Sequence, residues 1–341
     1  MLPTRIRDKK MRKGVFNYLI LAVFAISAAF MSCDKNPDDP GENGNGNGGE
    51  EDISGVYVAG GSNGIWKNGV RQNLTGNTQY ASSSSVFVSN NNVYVAGTDY
   101  GKAILWKNGV IQNLTIGSGN SYANSVFASG NNVYVVGLDN GQAVLWKNGE
   151  IQNLTNGVTS SSAYSVFVSN NDVYVAGQIK QQTQQPDRAV LWKNGVAQFL
   201  SGEGSQALSV YVADEDVYVA GYTLVRMSGV WGYYRYVTVW KNGVPQFLAE
   251  GGQNTSTKAH SVFVSGNDVY VVGSIDNSAA LWKNGVKQNL TGSAAYSVFV
   301  SSNDVYVAGT DNKQAVLWKN GVKQILIDGD KANANSVFVV E

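Results

Sequence analysis

The sequence predicts an all-β fold, a seven-bladed β-propeller with four antiparallel strands in each blade, and three observations lead there. The tetrapeptide Trp-Lys-Asn-Gly occurs seven times, beginning at Trp66, Trp106, Trp146, Trp192, Trp240, Trp282 and Trp318. Its spacings of 40, 40, 46, 48, 42 and 36 residues mark one duplicated supersecondary unit. Each unit reads as four short β-rich runs, and helical periodicity is absent. The folded part also starts partway through a unit and stops on the first strand of another, as a closed ring requires.

Residues 1–32 are expected to be a signal peptide. Arg5, Arg7, Lys9, Lys10, Arg12 and Lys13 make a basic start, an apolar stretch runs from Val15 to Phe30, and small residues lead to Cys33. The stretch is short for a spanning helix and no stop-transfer pattern follows. Cys33 is the single cysteine of the 341 residues, so an internal disulfide is excluded. A lone cysteine directly after such a signal resembles the lipobox of bacterial lipoproteins, which implies cleavage before Cys33 and acylation of its thiol. Several acyl chains, at about 0.8 kcal/mol per buried CH₂, anchor a protein stably. The alternative is an ordinary secretory signal with an incidental cysteine.

Residues 33–54 then form a tether. Asp34 to Asp52 has no large apolar side chain and is rich in Gly, Asn and acid, so it cannot bury a core. Asp34, Asp38 and Asp39 resemble the acidic residues that accompany surface export of some Gram-negative lipoproteins. The expected address is an outer-membrane lipoprotein, exposed on the cell surface or facing the periplasm.

Residues 55–341 are the propeller. In one unit, Ser125 to Ser129 is a first run, Val133 to Gly137 a second, Ala143 to Trp146 a third and Glu150 to Thr155 a fourth, with Leu138 to Gln142 read as a loop. Asn148-Gly149 between two such runs is a strong hairpin signal, because both turn residues take positive φ. The strands are labelled A to D from the inside of the ring outward. The chain enters on a B strand (Gly55 to Gly60) and ends on an A strand (Ser336 to Val340). Pairing the two completes blade 1 and removes exposed edges. The phrases Gly130 to Gly137 and Gly266 to Gly273 resemble the G-N-x-Y-V-x-G core of bacterial seven-bladed β-propeller repeat proteins. That resemblance implies the fold and no single activity.

Length variation separates the two faces of the ring. A–B turns and C–D turns keep one length throughout. From the glycine that ends strand B to the tryptophan is nine residues in blades 2, 3, 6 and 7, six in blade 1, fifteen in blade 4 and nineteen in blade 5. Irregular loops on a rigid scaffold are where recognition usually resides. The blade-5 insertion supplies the first candidate set: Tyr222, Arg226, Trp231, Tyr233, Tyr234, Arg235 and Tyr236. Aromatic and arginine side chains anchor interfaces and stack on sugars. The competing reading folds them back onto neighbouring loops. The blade-4 insertion, Gln178 to Arg188, reads as a solvated Gln-rich loop.

A second candidate set lies where the A strands begin: Asn124, Tyr164, His260, Tyr296 and Asn335, with Ser84 and Leu208 at the same repeat position. It varies while its neighbours do not, and innermost strands line the central channel, so the ring should surround the channel mouth. A mouth filled only with water is the plainer reading. The seven tryptophans read as wedges between blades, with a sugar-binding set as the alternative. Asp99, Asp139, Asp276 and Asp311 read as turn residues. Asp328 to Asn333 lacks the closing Glu of a calcium loop. The Asn-Leu-Thr sequons at Asn73, Asn113, Asn153 and Asn289 read as strand D.

Composition restricts the chemistry. The first 32 residues hold six of the 25 basic and one of the 25 acidic side chains, so the remainder carries 19 against 24, a net of −5. No basic stripe exists for nucleic acid or anionic lipid. His260 is the single histidine, which excludes His-based metal clusters and His-dependent triads. Glu203, Glu250 and Asp328 follow no recurrent arrangement of the kind a glycosidase needs. The expectation is a non-catalytic, monomeric binding protein without cofactor or metal. Its ligand is a glycan or a protein, and the membrane is touched through the lipid alone. The alternatives are a periplasm-facing scaffold of an envelope complex and, third, a propeller hydrolase or lyase.

Overall fold

The structure, a computed structural model, describes residues 53–61, 64–76, 80–115, 119–155, 160–180, 186–226, 232–253, 255–326 and 332–341. Cys33 and Trp231 lie outside the described residues. A compact unit spans Glu51 to Glu341. It contains 28 strands in seven antiparallel sheets of four, a seven-bladed β-propeller in which the described residues form no helix.

Ring closure follows the offset of the chain ends. Ala334–Val340 pairs with Gly55–Gly60, setting Val337 opposite Val58, and Gly64–Lys67 and Val70–Asn73 complete blade 1. In five blades the outer strand is short and exposed, for example Val110–Asn113 and Val286–Asn289, which limits edge-to-edge association; in blades 4 and 5 it is longer, Val196–Glu203 and Val244–Gln253.

The Trp-Lys-Asn-Gly hairpin is a structural clamp. Each Asn takes a φ of 50–52° and each Gly 77–87°, the geometry of a tight turn whose twist matches its strands. The Asn also fastens the turn to strand B. Asn108 donates its N–H to the Val93 carbonyl, and its Oδ1 accepts from the Val93 N–H at 2.8 Å. The same pair of bonds joins Asn68 to Val56, Asn148 to Val133, Asn194 to Val173, Asn242 to Val217, Asn284 to Val269 and Asn320 to Val305. In blades 2 to 7 the amide nitrogen donates onward to Asn92, Asn132, Asp172, Asp216, Asp268 or Asp304. The lysine before it lies over the strand-B tyrosine in all seven blades, 5.2–5.7 Å from the ring centroid.

The tryptophan fills the space between blades. All seven indoles are at most 1% exposed. Trp192 packs with Tyr134, Val136, Leu145 and Leu154 of blade 3, and Trp66 with Tyr306, Leu317 and Leu326 of blade 7. Seven such clusters, one at each junction, make up the core. The wedge reading holds, and none of these seven indole faces is open to a sugar.

Two further rings run around the axis. Each A-strand serine accepts the N–H of the next blade's valine: Ser336 from Val86, Ser85 from Val126, Ser125 from Val166, and so on to Ser297 from Val337. Two residues along, Phe87, Phe127, Phe167, Tyr211, Phe263, Phe299 and Phe338 form a closed aromatic collar with neighbouring centroids 4.5–4.9 Å apart. These tilted contacts suit the quadrupoles of the rings.

Candidate functional site

The residues that begin the A strands reach the channel through a backbone device. In every blade the A–B register shifts by one residue at the same place: pairing passes from Ser83 to Ser85, Ala123 to Ser125, Ala163 to Ser165, Ala207 to Ser209, Ala259 to Ser261, Ala295 to Ser297 and Ala334 to Ser336. The residues skipped are Ser84, Asn124, Tyr164, Leu208, His260, Tyr296 and Asn335. Each is the extra residue of a β-bulge, a feature that re-aims a side chain. The glycine opposite explains the end of the repeat phrase. A Cβ on Gly60, Gly97, Gly137, Gly177, Gly221, Gly273 or Gly309 would stand 1.8–2.2 Å from a carbonyl oxygen of the bulged strand.

All seven bulged residues, with the seven serines that follow them, line one cavity of about 290 Å³ at the axis. This is near the lower edge of the range for ligand pockets, roughly 300–1,000 Å³. The structure therefore brings together Asn124, Tyr164, His260, Tyr296 and Asn335. The aromatic collar lies three residues further along each strand, about 10 Å below at a strand rise near 3.3 Å.

The ring is uneven in chemistry. Asn124 donates to the Ala163 carbonyl at 2.8 Å and Asn335 to the Ser83 carbonyl at 3.0 Å, bonds that bridge adjacent blades. His260 and Tyr296 meet edge to face, with centroids 5.0 Å apart. Burial, aided by nearby Lys258, pushes the His260 imidazole down to about 3, so it is neutral at physiological pH. Burial also pushes the Tyr164 hydroxyl up to about 12, with Asp187 and Tyr222 acting in the same direction and a hydrogen bond to Ser162 opposing.

The two insertions stand beside this mouth as extended B–C hairpins. In blade 4, Asp172–Lys180 and Arg188–Lys193 pair up to Ile179 opposite Arg188. The Arg188 guanidinium lies 4.0 Å from the Phe199 ring centroid. The flanks of the expected solvated loop are thus ordered strand; residues 181–185 lie outside the described residues. In blade 5, Asp216–Val225 and Tyr234–Lys241 pair as far as Val225 opposite Tyr234.

Strand alternation divides the blade-5 candidates between two sides of this ribbon. Tyr222 is buried, and the Arg235 guanidinium stacks 4.1 Å from its centroid. Tyr234 and Tyr236 project the other way; Tyr236 donates to Glu250 at 2.7 Å and packs on Phe247 at 5.1 Å. Arg226 is exposed and Tyr233 is 45% exposed near the tip. The candidates are not one aromatic surface. Tyr222 and Arg235 do not line the cavity but lie on the side of Tyr164 and Lys258, whereas Tyr236 folds back onto its own blade.

Elsewhere the B–C connections are tighter than the sequence suggests. In blade 3 strand B runs to Asp139 and strand C starts at Gln142, leaving Asn140-Gly141 as a two-residue turn with φ of 47° and 82°. The loop aspartates tie these turns down. Asp139 accepts from Ser121 at 2.5 Å, Asp276 from Thr257 at 3.0 Å, and Asp311 pairs with Lys323 at 2.7 Å. The Asn-Leu-Thr asparagines Asn73, Asn113, Asn153 and Asn289 end strand D, as expected.

No protein-family profile and no curated protein matches the chain. Among solved structures it is similar to the computationally designed Ika8 protein, with a TM-score of 0.45 and 18% identity over 78% of this chain and 92% of that one. It is also similar to a chain of a nidogen/laminin complex, with a TM-score of 0.45 and 10% identity over 72% of this chain and 97% of that one.

Several mouth residues escape a reading of the sequence. Asp187, on the blade-4 hairpin, accepts a hydrogen bond from Gln206 at 3.4 Å and faces Tyr164 and Tyr222. Lys258 lies two residues before His260 and is the one charged residue among its repeat equivalents Ser82, Tyr122, Ser162, Gln206, Ala294 and Asn333. That contrast was available in the alignment of the repeats. On the far side of the same face, Tyr80 and Tyr100 stack 4.6 Å apart while 57% and 59% exposed. Their pairing across two loops has no sequence signal.

Proposed function

We propose that this protein is a non-catalytic binding module, held at the outer membrane by lipid on Cys33, which takes its ligand at the channel mouth between the blade-4 and blade-5 hairpins. One observation carries the reading. Seven β-bulges aim one variable position of the repeat, held between a nearly constant alanine and a constant serine, into a single cavity. A glycan suits that cavity, which offers hydroxyls, amides and the rings of Tyr164 and Tyr296. Surface display is the favoured orientation.

A glycan array probed with the protein and with a Tyr164→Ala, Tyr296→Ala variant tests this. Signals from the parent that vanish in the variant support the reading; signals that persist overturn it. The alternative, a periplasm-facing scaffold, draws support from the exposed Tyr80 and Tyr100 pair, since exposed aromatic side chains are typical of protein interfaces. Antibody labelling of an epitope in the blade-4 hairpin, on intact and on permeabilised cells, separates the two. Labelling only after permeabilisation would discard surface display.

A further inference from the structure

Two cations close to the mouth, though not in the cavity lining, have no counter-ion among the described residues. The Arg235 guanidinium is stacked on Tyr222, and its Nε is buried without a hydrogen-bond partner among the described residues. Lys258 is half-buried on Lys258–Ser265, the strand that carries His260 into the cavity, and makes no ion pair among the described residues. Five lysines elsewhere, Lys193, Lys241, Lys283, Lys319 and Lys323, each meet an aspartate at 2.6–2.7 Å.

None of the described acids forms an ion pair with either cation. Asp187 holds the Gln206 amide and faces the tyrosines. Glu250 is taken by Tyr236, and Asp276 by Thr257 and the Gly252 N–H. Burial and the neighbouring Arg235 charge both lower the Lys258 ammonium from its ordinary value. Two like charges drawn together and partly dried are costly unless an anion completes the set.

We propose that the mouth recognises an acidic sugar of the uronate class, its carboxylate held by Arg235 and Lys258 and its ring lodged among Tyr164, His260 and Tyr296. This rests on the mouth being the binding site. An arginine held flat by a tyrosine presents its N–H groups to a planar carboxylate, and the lysine adds a point charge. The neutral His260 supplies a flat ring edge without repelling the cations. The cavity admits about one small ring, so the recognised unit is a chain end or a single residue of an acidic polysaccharide.

The test measures calorimetric binding of the full-length protein in detergent to oligomers of galacturonate, glucuronate-containing hyaluronan and alginate, and to their carboxyl methyl esters. At least one acidic oligomer should bind and its ester should not. Arg235→Gln and Lys258→Met should each weaken binding by at least roughly tenfold, about 1.4 kcal/mol, because each removes a charged hydrogen bond. Thermal unfolding of both variants serves as the folding control. Failure of all three acidic oligomers to bind at millimolar concentration overturns the proposal, as does retention of affinity in the doubly substituted protein. An ester that binds as well as its acid, with loss in Tyr164→Ala, would remove the anionic inference and leave the mouth as the site. An acidic peptide that competes with the same dependence on Arg235 and Lys258, in place of any sugar, would move the ligand to protein and also overturn it.

Discussion

Val86 donates its backbone N–H to the hydroxyl of Ser336, 250 residues away, at 3.3 Å. This bond is one of seven equivalent links around the axis, and it crosses the seam where the two ends of the folded chain meet. Deleting residues 334–341 removes both that link and the inner strand of blade 1. The truncated protein should lose its cooperative urea transition. Ser336→Ala should cost about 1 kcal/mol, the usual net value of one hydrogen bond. An unchanged midpoint in the truncated protein would show that closure does not hold the ring.

The tryptophans allow a matched comparison. Trp106 donates its indole N–H to the Thr75 carbonyl at 3.2 Å, whereas the Trp146 indole nitrogen has no partner among the described residues. Alanine at either site should cost about 3–5 kcal/mol. Phenylalanine should cost more at 106 than at 146, by about 1 kcal/mol for the extra hydrogen bond. Equal losses in chemical denaturation would argue against that bond.

Acid should weaken blades 4 to 7 selectively. Hydrogen bonds from Lys193, Lys241, Lys283 and Lys319, joined by the hairpin asparagines, hold Asp172, Asp216, Asp268 and Asp304 below their ordinary value. A carboxylate whose folded-state value is depressed adds stability that is present above its unfolded value and lost as pH falls through the folded one. The contribution should therefore fade below about pH 4. Blades 2 and 3 carry Asn92 and Asn132 at this position and keep the amide bond without the charge. Converting the four aspartates to asparagine should flatten the loss of urea stability between pH 6 and pH 3. A variant as acid-sensitive as its parent would contradict the assignment.

His260 offers a clean pH probe because it is the single histidine. Burial lowers it to about 3, so the folded state keeps it neutral while the unfolded chain protonates near 6.5. Stability from this site is fully present above pH 6.5 and declines as pH falls toward 3. Its imidazole NMR signals should not titrate between pH 8 and pH 5. A midpoint near 6 would place His260 in open water and undo the account of the mouth.

Much of the architecture was legible because it repeats. The forty-residue period, the Asn-Gly turns and the offset between Gly55 and Val340 can each be read along the chain, and each has a physical cause in pairing or turn geometry. The mouth ring was legible as variation at one repeat position. The bulge that delivers it was not, since a bulge exists only between two strands, although the glycine opposite each one was its trace. The aromatic collar from Phe87 to Phe338 was likewise hidden, because an A-strand phenylalanine reads as core until the axis is known. The blade-5 cluster was overread: composition put Tyr222 and Tyr236 together, and strand alternation sends them to opposite sides.

The central claim, that the bulged residues form the binding site, has a direct test. Ser84 already occupies one bulge, so serine fits the backbone there. A variant carrying Asn124→Ser, Tyr164→Ser, Leu208→Ser, His260→Ser, Tyr296→Ser and Asn335→Ser should keep the propeller's circular dichroism spectrum, because the core clusters and hairpin clamps are untouched. Binding to whichever array glycans the parent retains should be measured on both proteins. The account predicts loss of at least tenfold in affinity with the spectrum preserved. Full affinity in the six-serine protein would contradict it and move the site off the axis.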